Sequence, residues 1–147
     1  MHRLAIVPTF AALLAADPCS PETRPHAGSS SWNGWGADAV NSRFQPIAID
    51  AAKLKLKWAF GVPGARTMAA QPAVVGGVVY FGSQDGTVYA LDAHTGCEYW
   101  TFKADATVRT AIKVGAIQSG RYAVLFGDTK AQVYALDGFE DCLPNEV

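Results

Sequence analysis

Short apolar runs separated by turn residues fill the chain from position 54 onward. Leu54-Lys55-Leu56-Lys57-Trp58-Ala59-Phe60 alternates apolar and basic residues, the period-two pattern of a strand with one buried face, and Gly61-Val62-Pro63-Gly64 ends it. Ahead of it, Asp50 is placed to cap a short helical turn through Ala51, Ala52 and Lys53. Further on come Ala73-Val74-Val75, Val78-Val79-Tyr80-Phe81, Val88-Tyr89-Ala90-Leu91 and Tyr99-Trp100-Thr101-Phe102. Gly76-Gly77, Gln84-Asp85-Gly86 and His94-Thr95-Gly96 lie between them. β-Branched and aromatic runs spaced by such turns predict a four-stranded antiparallel meander. Gly76-Gly77 and Asp85-Gly86 supply the positive φ that tight hairpins require.

The pattern then repeats. Positions 78–92 read VVYFGSQDGTVYALD and positions 123–137 read AVLFGDTKAQVYALD, identical at eight of fifteen places at an offset of 45. Trp58-Ala59-Phe60 is echoed by Trp100-Thr101-Phe102 at an offset of 42. A four-stranded unit recurring every ~40–50 residues is the mark of a β-propeller blade. The repeat lapses after Asp137: where Thr95, Gly96 and Trp100 call for counterparts, the chain has Glu140, Asp141 and Asn145. The second blade is therefore expected to have three strands, and residues 138–147 read as an aberrant tail of a truncated or frame-shifted copy. An unclosed pair of blades exposes strand edges and an apolar blade face, which favours self-association through those edges.

Residues 1–16 read separately from the fold. Met1-His2-Arg3 and the apolar stretch ending in Leu13-Leu14-Ala15-Ala16 have the basic and hydrophobic regions of a secretory signal peptide. Residues 17–31, rich in Pro, Ser and Thr, read as a linker, and residues 32–137 as the partial propeller. No later stretch is long and apolar enough to span a membrane.

Composition narrows the function. Of 147 residues, 50% are hydrophobic and 17% charged, with a formal net charge of −1, so there is no electrostatic case for nucleic acid. Lys53, Lys55 and Lys57 read as the solvated face of a strand. Cys19, Cys97 and Cys142 form no C-x-x-C pattern; an exported chain can oxidise one pair, and Cys97 reads as a small packed hydrophobe on a strand. Asp85 and Asp92 sit in turns, where backbone N–H groups are their usual partners. His26 in the linker and His94 in a turn are not placed to activate a nucleophile, and the glycines form no phosphate-binding loop.

Ala90-Leu91-Asp92-Ala93-His94-Thr95-Gly96-Cys97-Glu98-Tyr99-Trp100 resembles the tryptophan-docking motif of quinoprotein propellers, A-x-D-x-x-T-G-x-x-x-W, at all five fixed positions. In it Thr95 and Gly96 make the turn, Asp92 accepts from that turn's N–H groups, and Trp100 lays its indole on a neighbouring blade. Trp32-Asn33-Gly34-Trp35-Gly36, Asn41-Ser42-Arg43-Phe44-Gln45-Pro46, Gln71-Pro72, Thr95-Gly96-Cys97 and Val108-Arg109-Thr110-Ala111 extend the likeness over most of residues 31–137. Together they resemble pyrroloquinoline-quinone (PQQ) dependent alcohol dehydrogenases, in particular the polyvinyl-alcohol dehydrogenase branch.

That resemblance implies an all-β, eight-bladed periplasmic propeller, of which this chain holds about two blades as an N-terminal fragment. It implies PQQ and Ca²⁺ at an axial funnel, alcohol as substrate and cytochrome c as electron acceptor. Catalytic and cation-ligating residues would come from later blades, leaving the fragment without a complete active site. A guanidinium fork suits the carboxylates of PQQ, so Arg109, at the start of the second blade's innermost strand, is the first cofactor-binding candidate. Gln71, at the corresponding start in the first blade, is the second. Many relatives carry H-E-G-x-P here; this chain reads Met68-Ala69-Ala70-Gln71-Pro72, without the glutamate. The alternative is a non-catalytic PQQ-like propeller that holds partner proteins, as in outer-membrane protein assembly.

Overall fold

The structure is a computed structural model, and it describes residues 17–20, 31–117 and 122–138. The signal-like residues 1–16, most of the linker segment, and Cys142 with nearly all of the tail lie outside these residues.

The chain folds into two antiparallel sheets. The first comprises β1 (Ala73–Val75), β2 (Val78–Gly82), β3 (Thr87–Asp92) and β4 (Glu98–Lys103), in that spatial order. The second comprises β5 (Lys113–Ala116), β6 (Tyr122–Gly127) and β7 (Val133–Asp137), also in chain order. The meander and three strands of the second blade stand where the repeat puts them. Hairpin glycines Gly76, Gly77 and Gly86 have φ of 60°, 81° and 89°. Asp50 caps a 3-10 turn (Ala51–Lys53), its Oδ1 accepting the Ala52 N–H at 3.1 Å.

Alternation along each strand sends side chains to opposite faces, and the faces of the two sheets meet. Tyr80, Val88, Ala90 and Trp100 of the first sheet form one core with Val114, Val124 and Phe126 of the second. Phe102 packs edge-on to Phe126 and Tyr134, with centroids 6.0 and 5.6 Å apart. On the far face of the first sheet, Phe81, Tyr89 and Leu91 form a second cluster with Trp58, Phe60 and Val62.

Residues 54–60 depart from expectation. They pair with no strand among the described residues, and Leu54 and Leu56 are 70% and 86% exposed. An apolar alternation becomes a ladder only beside a partner edge, and none is offered here. Only the end of the run packs. Phe60 lies 5.7 Å from Phe81 and 5.2 Å from Tyr89, while Trp58 covers the Thr95-Gly96 turn and donates from Nε1 to the Ala93 carbonyl at 3.2 Å. The indole docked on this turn is thus Trp58. Trp100 is buried between the sheets, 5.9 Å from the Tyr80 ring.

The turn itself is built as its sequence suggests. Asp92, 1% exposed, accepts at Oδ1 from the His94 and Thr95 N–H groups (2.9 and 2.6 Å) and at Oδ2 from the Tyr99 hydroxyl (2.7 Å). Burial pushes its carboxyl up, but these donors hold it below the usual carboxylate range.

Cys97 is also corrected: it forms a disulfide with Cys19 across 78 positions. Residues 17–20 run parallel to the start of β4, with Cys19 N–H donating to the Glu98 carbonyl at 2.8 Å and Glu98 N–H to that of Asp17 at 3.1 Å. Cys97 directly precedes β4, the outer strand of the sheet, and that edge is what a second segment can reach.

The innermost edges of both sheets are held by one dipeptide. Val74 and Val114 occupy the same place in their blades, opposite Val79 and Val124. Trp32 exchanges two backbone hydrogen bonds with Val74, at 2.8 and 2.7 Å. The Asn33 carboxamide does the same for Val114, its Nδ2 donating to the carbonyl at 2.7 Å and its Oδ1 accepting the N–H at 2.8 Å.

Two outcomes follow. Gly96 has φ of 79°, and a Cβ there would stand 2.6 Å from the Trp58 ring. Gly96→Ala will therefore lower stability by at least about 2 kcal/mol in urea melts, from left-handed strain plus overpacking. Because the folded Asp92 carboxyl is depressed, its stabilisation is full above the unfolded value near pH 4 and fades as pH falls through the folded one. Urea midpoints will drop below about pH 4, and Asp92→Asn will flatten that part of the profile.

Candidate functional site

A cleft of about 330 Å³ opens where the β2–β3 and β6–β7 turns meet the segments leading into β1 and β5. It is lined by Thr67, Ala69, Gln84, Thr107, Val108, Arg109 and Thr129. These come in repeat-related pairs. With Val74 matched to Val114 and Val79 to Val124, Thr67 corresponds to Thr107, Ala69 to Arg109 and Gln84 to Thr129.

The segment carrying Arg109 is held by both blades. Val108 N–H donates to the Ser83 carbonyl at 3.2 Å, and Thr107 Oγ1 to that of Gln84 at 2.6 Å. On the other side Thr129 N–H donates to Thr107 O at 3.0 Å, and Val108 bridges to Asp128. Thr110 Oγ1 donates to the Gly127 carbonyl and accepts its N–H, each at 2.9 Å. With Val108 buried and Thr110 tied down, the exposed Arg109 between them is left on the cleft. No carboxylate among the described residues pairs with it. Gln84 is steadied by Thr67, whose Oγ1 donates to Oε1 at 2.8 Å.

Each turn has its own brace. In the first blade Ser83 N–H donates to Thr87 O and Gly86 N–H to Ser83 O, at 2.8 and 3.2 Å. Asp85 accepts from Ser83 Oγ, from Thr87 Oγ1 and, at 2.8 Å, from Lys103 Nζ. Burial pushes the Asp85 carboxyl up, but Lys103 and the two hydroxyls hold it well below the usual range. In the second blade Asp128 replaces Ser83. Its Oδ1 accepts the Lys130 and Gln132 N–H groups at 2.9 and 3.0 Å, and its Oδ2 accepts the Tyr134 hydroxyl at 2.9 Å.

Of the two sequence candidates, the structure puts Arg109 on the cleft. Gln71 is half-buried two positions beyond Ala69, outside the lining. Ala69 does line it. Sequence reasoning missed Thr67, Gln84, Thr107 and Thr129. The signal that would have found them is positional: they occupy equivalent places in the two blades, and Gln84 and Thr129 are turn residues at the 45-residue offset.

As chemistry, the cleft presents a guanidinium, a carboxamide and three threonine hydroxyls, and no carboxylate. That set suits the oxygens of an anionic small molecule. A planar tricarboxylic quinone such as PQQ fits the donors. Calcium does not, because no group of three His, Cys, Asp or Glu side chains converges among the described residues.

Comparison with known proteins agrees with this architecture. Residues 32–137 match the family described as "Glucose/ethanol/alcohol dehydrogenase, beta-propeller domain", and the chain belongs to that family. It is 43% identical over 113 residues to a polyvinylalcohol dehydrogenase of Pseudomonas sp, an alignment covering 72% of this chain and 17% of that protein. It is 32% identical over 95 residues to a 1-butanol dehydrogenase (cytochrome c) of Thauera butanivorans, covering 62% of this chain and 14% of that one. The crystal structure of quinohemoprotein alcohol dehydrogenase from Comamonas testosteroni superposes with a TM-score of 0.52 at 22% identity, over 75% of this chain and 20% of that one. The aligned part of the chain thus spans less than a fifth of the length of each of these two sequence relatives.

The turns predict one further outcome. Ala131 stands where the first blade has Gly86, and it takes φ of 62°. Ala131→Gly will raise stability by about 1 kcal/mol by relieving a left-handed alanine, read as a higher urea midpoint at unchanged slope.

Proposed function

We propose that the chain supplies the first blades of a PQQ-dependent dehydrogenase of the polyvinyl-alcohol type, acting outside the cytoplasm and passing electrons to a c-type cytochrome. The observation that carries it is Arg109, held by the turns of both blades on a cleft of donors in a chain of the quinoprotein family. The names of the relatives support the substrate class and the acceptor. The Cys19–Cys97 disulfide supports an oxidising compartment, in keeping with the signal-like start.

Bound PQQ would supply a quinone that accepts two electrons from an alcohol. The chain's own part is binding and orientation. Arg109 offers two parallel N–H bonds to one carboxylate, while the Gln84 carboxamide N–H and the Thr129 hydroxyl offer weaker donors around it. The residues that complete the reaction, including ligands for calcium, belong to blades beyond this chain, so the chain alone is inactive. Gln71 takes a lesser part through the start of β1. The open blade edges favour self-association.

One observation favours the non-catalytic scaffold instead: with Ala69 on its lining, the cleft holds no carboxylate. Titration of the chain with PQQ, followed by tryptophan quenching, separates the two. Saturable binding weakened at least about tenfold in Arg109→Ala, less in Arg109→Lys and least in Gln71→Ala, is the expected result. No saturable quenching, or an unchanged Arg109→Ala, overturns the cofactor reading and favours the scaffold.

A further inference from the structure

Arg109 belongs to a four-residue segment, Thr107 to Thr110, that runs between two repeat-equivalent tripeptides. In the first blade these are Gly82, Ser83 and Gln84; at the 45-residue offset in the second they are Gly127, Asp128 and Thr129. The segment grips both. Toward the first blade, Thr107 Oγ1 donates to the Gln84 carbonyl at 2.6 Å, and Val108 N–H to the Ser83 carbonyl at 3.2 Å. Val108 also packs so closely on Gly82 that a Cβ there would overlap it. Toward the second blade, Thr110 Oγ1 takes the Gly127 N–H and donates to the Gly127 carbonyl, each at 2.9 Å. The pairing of β5 with β6 ends at Lys113 opposite Leu125; carried two residues on, it would set Ala111 opposite Gly127. The main chain has left the ladder by then, and the Thr110 hydroxyl stands in for the missing peptide group.

The first blade lacks this arrangement at the corresponding place. There Thr107, Arg109 and Thr110 are matched by Thr67, Ala69 and Ala70. Thr67 gives its hydroxyl proton to the Gln84 side chain instead of to a carbonyl of the main chain, and the buried Ala70 has no hydroxyl to give. The blade that carries the arginine is thus the blade that carries a main-chain clamp on each side of it.

We infer that Thr107 and Thr110 are the positioning residues of the cleft: their hydroxyls fix the main chain on either side of Arg109, so that the guanidinium starts from one place when an anion binds. Each hydroxyl proton is committed to a carbonyl, of Gln84 or of Gly127, and is not given to the ligand. An arginine on a loose segment has to be ordered together with its main chain at the moment of binding, and that ordering subtracts from affinity. With the main chain already fixed, only the side chain is left to order. That the anion is PQQ rests on the reading proposed above; the fixing of Arg109 does not.

Nitrogen-15 relaxation and amide exchange on the full chain, without ligand, read the positioning directly. Thr110→Val keeps the branched shape and loses the hydroxyl. The Arg109 amide is expected to become more mobile on the picosecond-to-nanosecond scale and the Gly127 amide to exchange at least about fivefold faster, with β2 and β3 unchanged. Thr110→Ser, which keeps the hydroxyl, is expected to restore both. Thr107→Val repeats the test from the first-blade side: the Arg109 amide loosens while Gly127 keeps its protection. PQQ titration supplies the link to binding. Thr110→Val is expected to weaken it about three- to tenfold in the wild-type background and less than about twofold in Arg109→Ala, because a positioning residue acts through Arg109 alone. Equal weakening in both backgrounds means a general loosening of the cleft and overturns the inference. So does an Arg109 amide as well ordered without the two hydroxyls as with them, or a Thr110→Ser chain that behaves as Thr110→Val does. A wild-type chain that does not bind PQQ overturns the cofactor reading and leaves relaxation and exchange to decide the positioning.

Discussion

The contact on which the structure depends is the aromatic seam between the sheets, Phe102 against Phe126 and Tyr134. A four-stranded sheet buries little by itself, since both faces would otherwise be wet. Pressing one blade on the next removes Val88, Ala90, Val114 and Val124 from water together, at roughly 1.5–3 kcal/mol for each fully covered valine. The seam also sets the spacing of the two turns. Were the sheets to separate, residues 107–110 could not reach Ser83 and Gly127 at once, and Arg109 would lose its fixed place. The cleft is a product of packing between blades, not of any one loop.

The edges of the sheets are managed by different devices at different radii. Trp32 pairs with Val74 through its main chain, and Asn33 with Val114 through a carboxamide that imitates a peptide group. Two innermost strands of different sheets are thereby each given partners at their free edges by two consecutive residues. At the outside of the first sheet, residues 17–20 cover the start of β4, and a disulfide closing a long loop holds them. In chain-entropy terms such a closure is worth about 4 kcal/mol.

What the sequence made legible follows from what repeats. Strand positions, hairpin glycines and the Asp92 turn all rest on local chemistry written twice or in a fixed motif, and they stand as expected. Residues 54–60 carry the right alternation, but whether an alternating segment pairs depends on what lies beside it, and no local pattern states that. The Cys19–Cys97 bond joins a segment read as linker to a strand 78 positions away, so nothing near either cysteine announces it. Arg109, singled out as a guanidinium at the entry to the second blade's innermost strand, does lie on the cleft. Its companions were not singled out, since threonine and glutamine in turns are ordinary until the fold brings equivalent turns together.

The cleft is one-sided in its chemistry. Its lining can donate to an anion at several points but holds no group able to take a proton from an alcohol. The nearest carboxylates do not supply that lack. Asp85 is saturated by Lys103, Ser83 and Thr87 and held well below the usual range; Asp128 is saturated by two N–H groups and a tyrosine hydroxyl and is lowered as well. A general base works best with a pKa near the operating pH, and both carboxylates are held below their usual range by the donors around them. Their hydrogen bonds are spent on keeping the β2–β3 and β6–β7 turns in shape. The division of labour is therefore geometric: these two carboxylates shape the turns, and the cleft that the turns frame is left to donate hydrogen bonds.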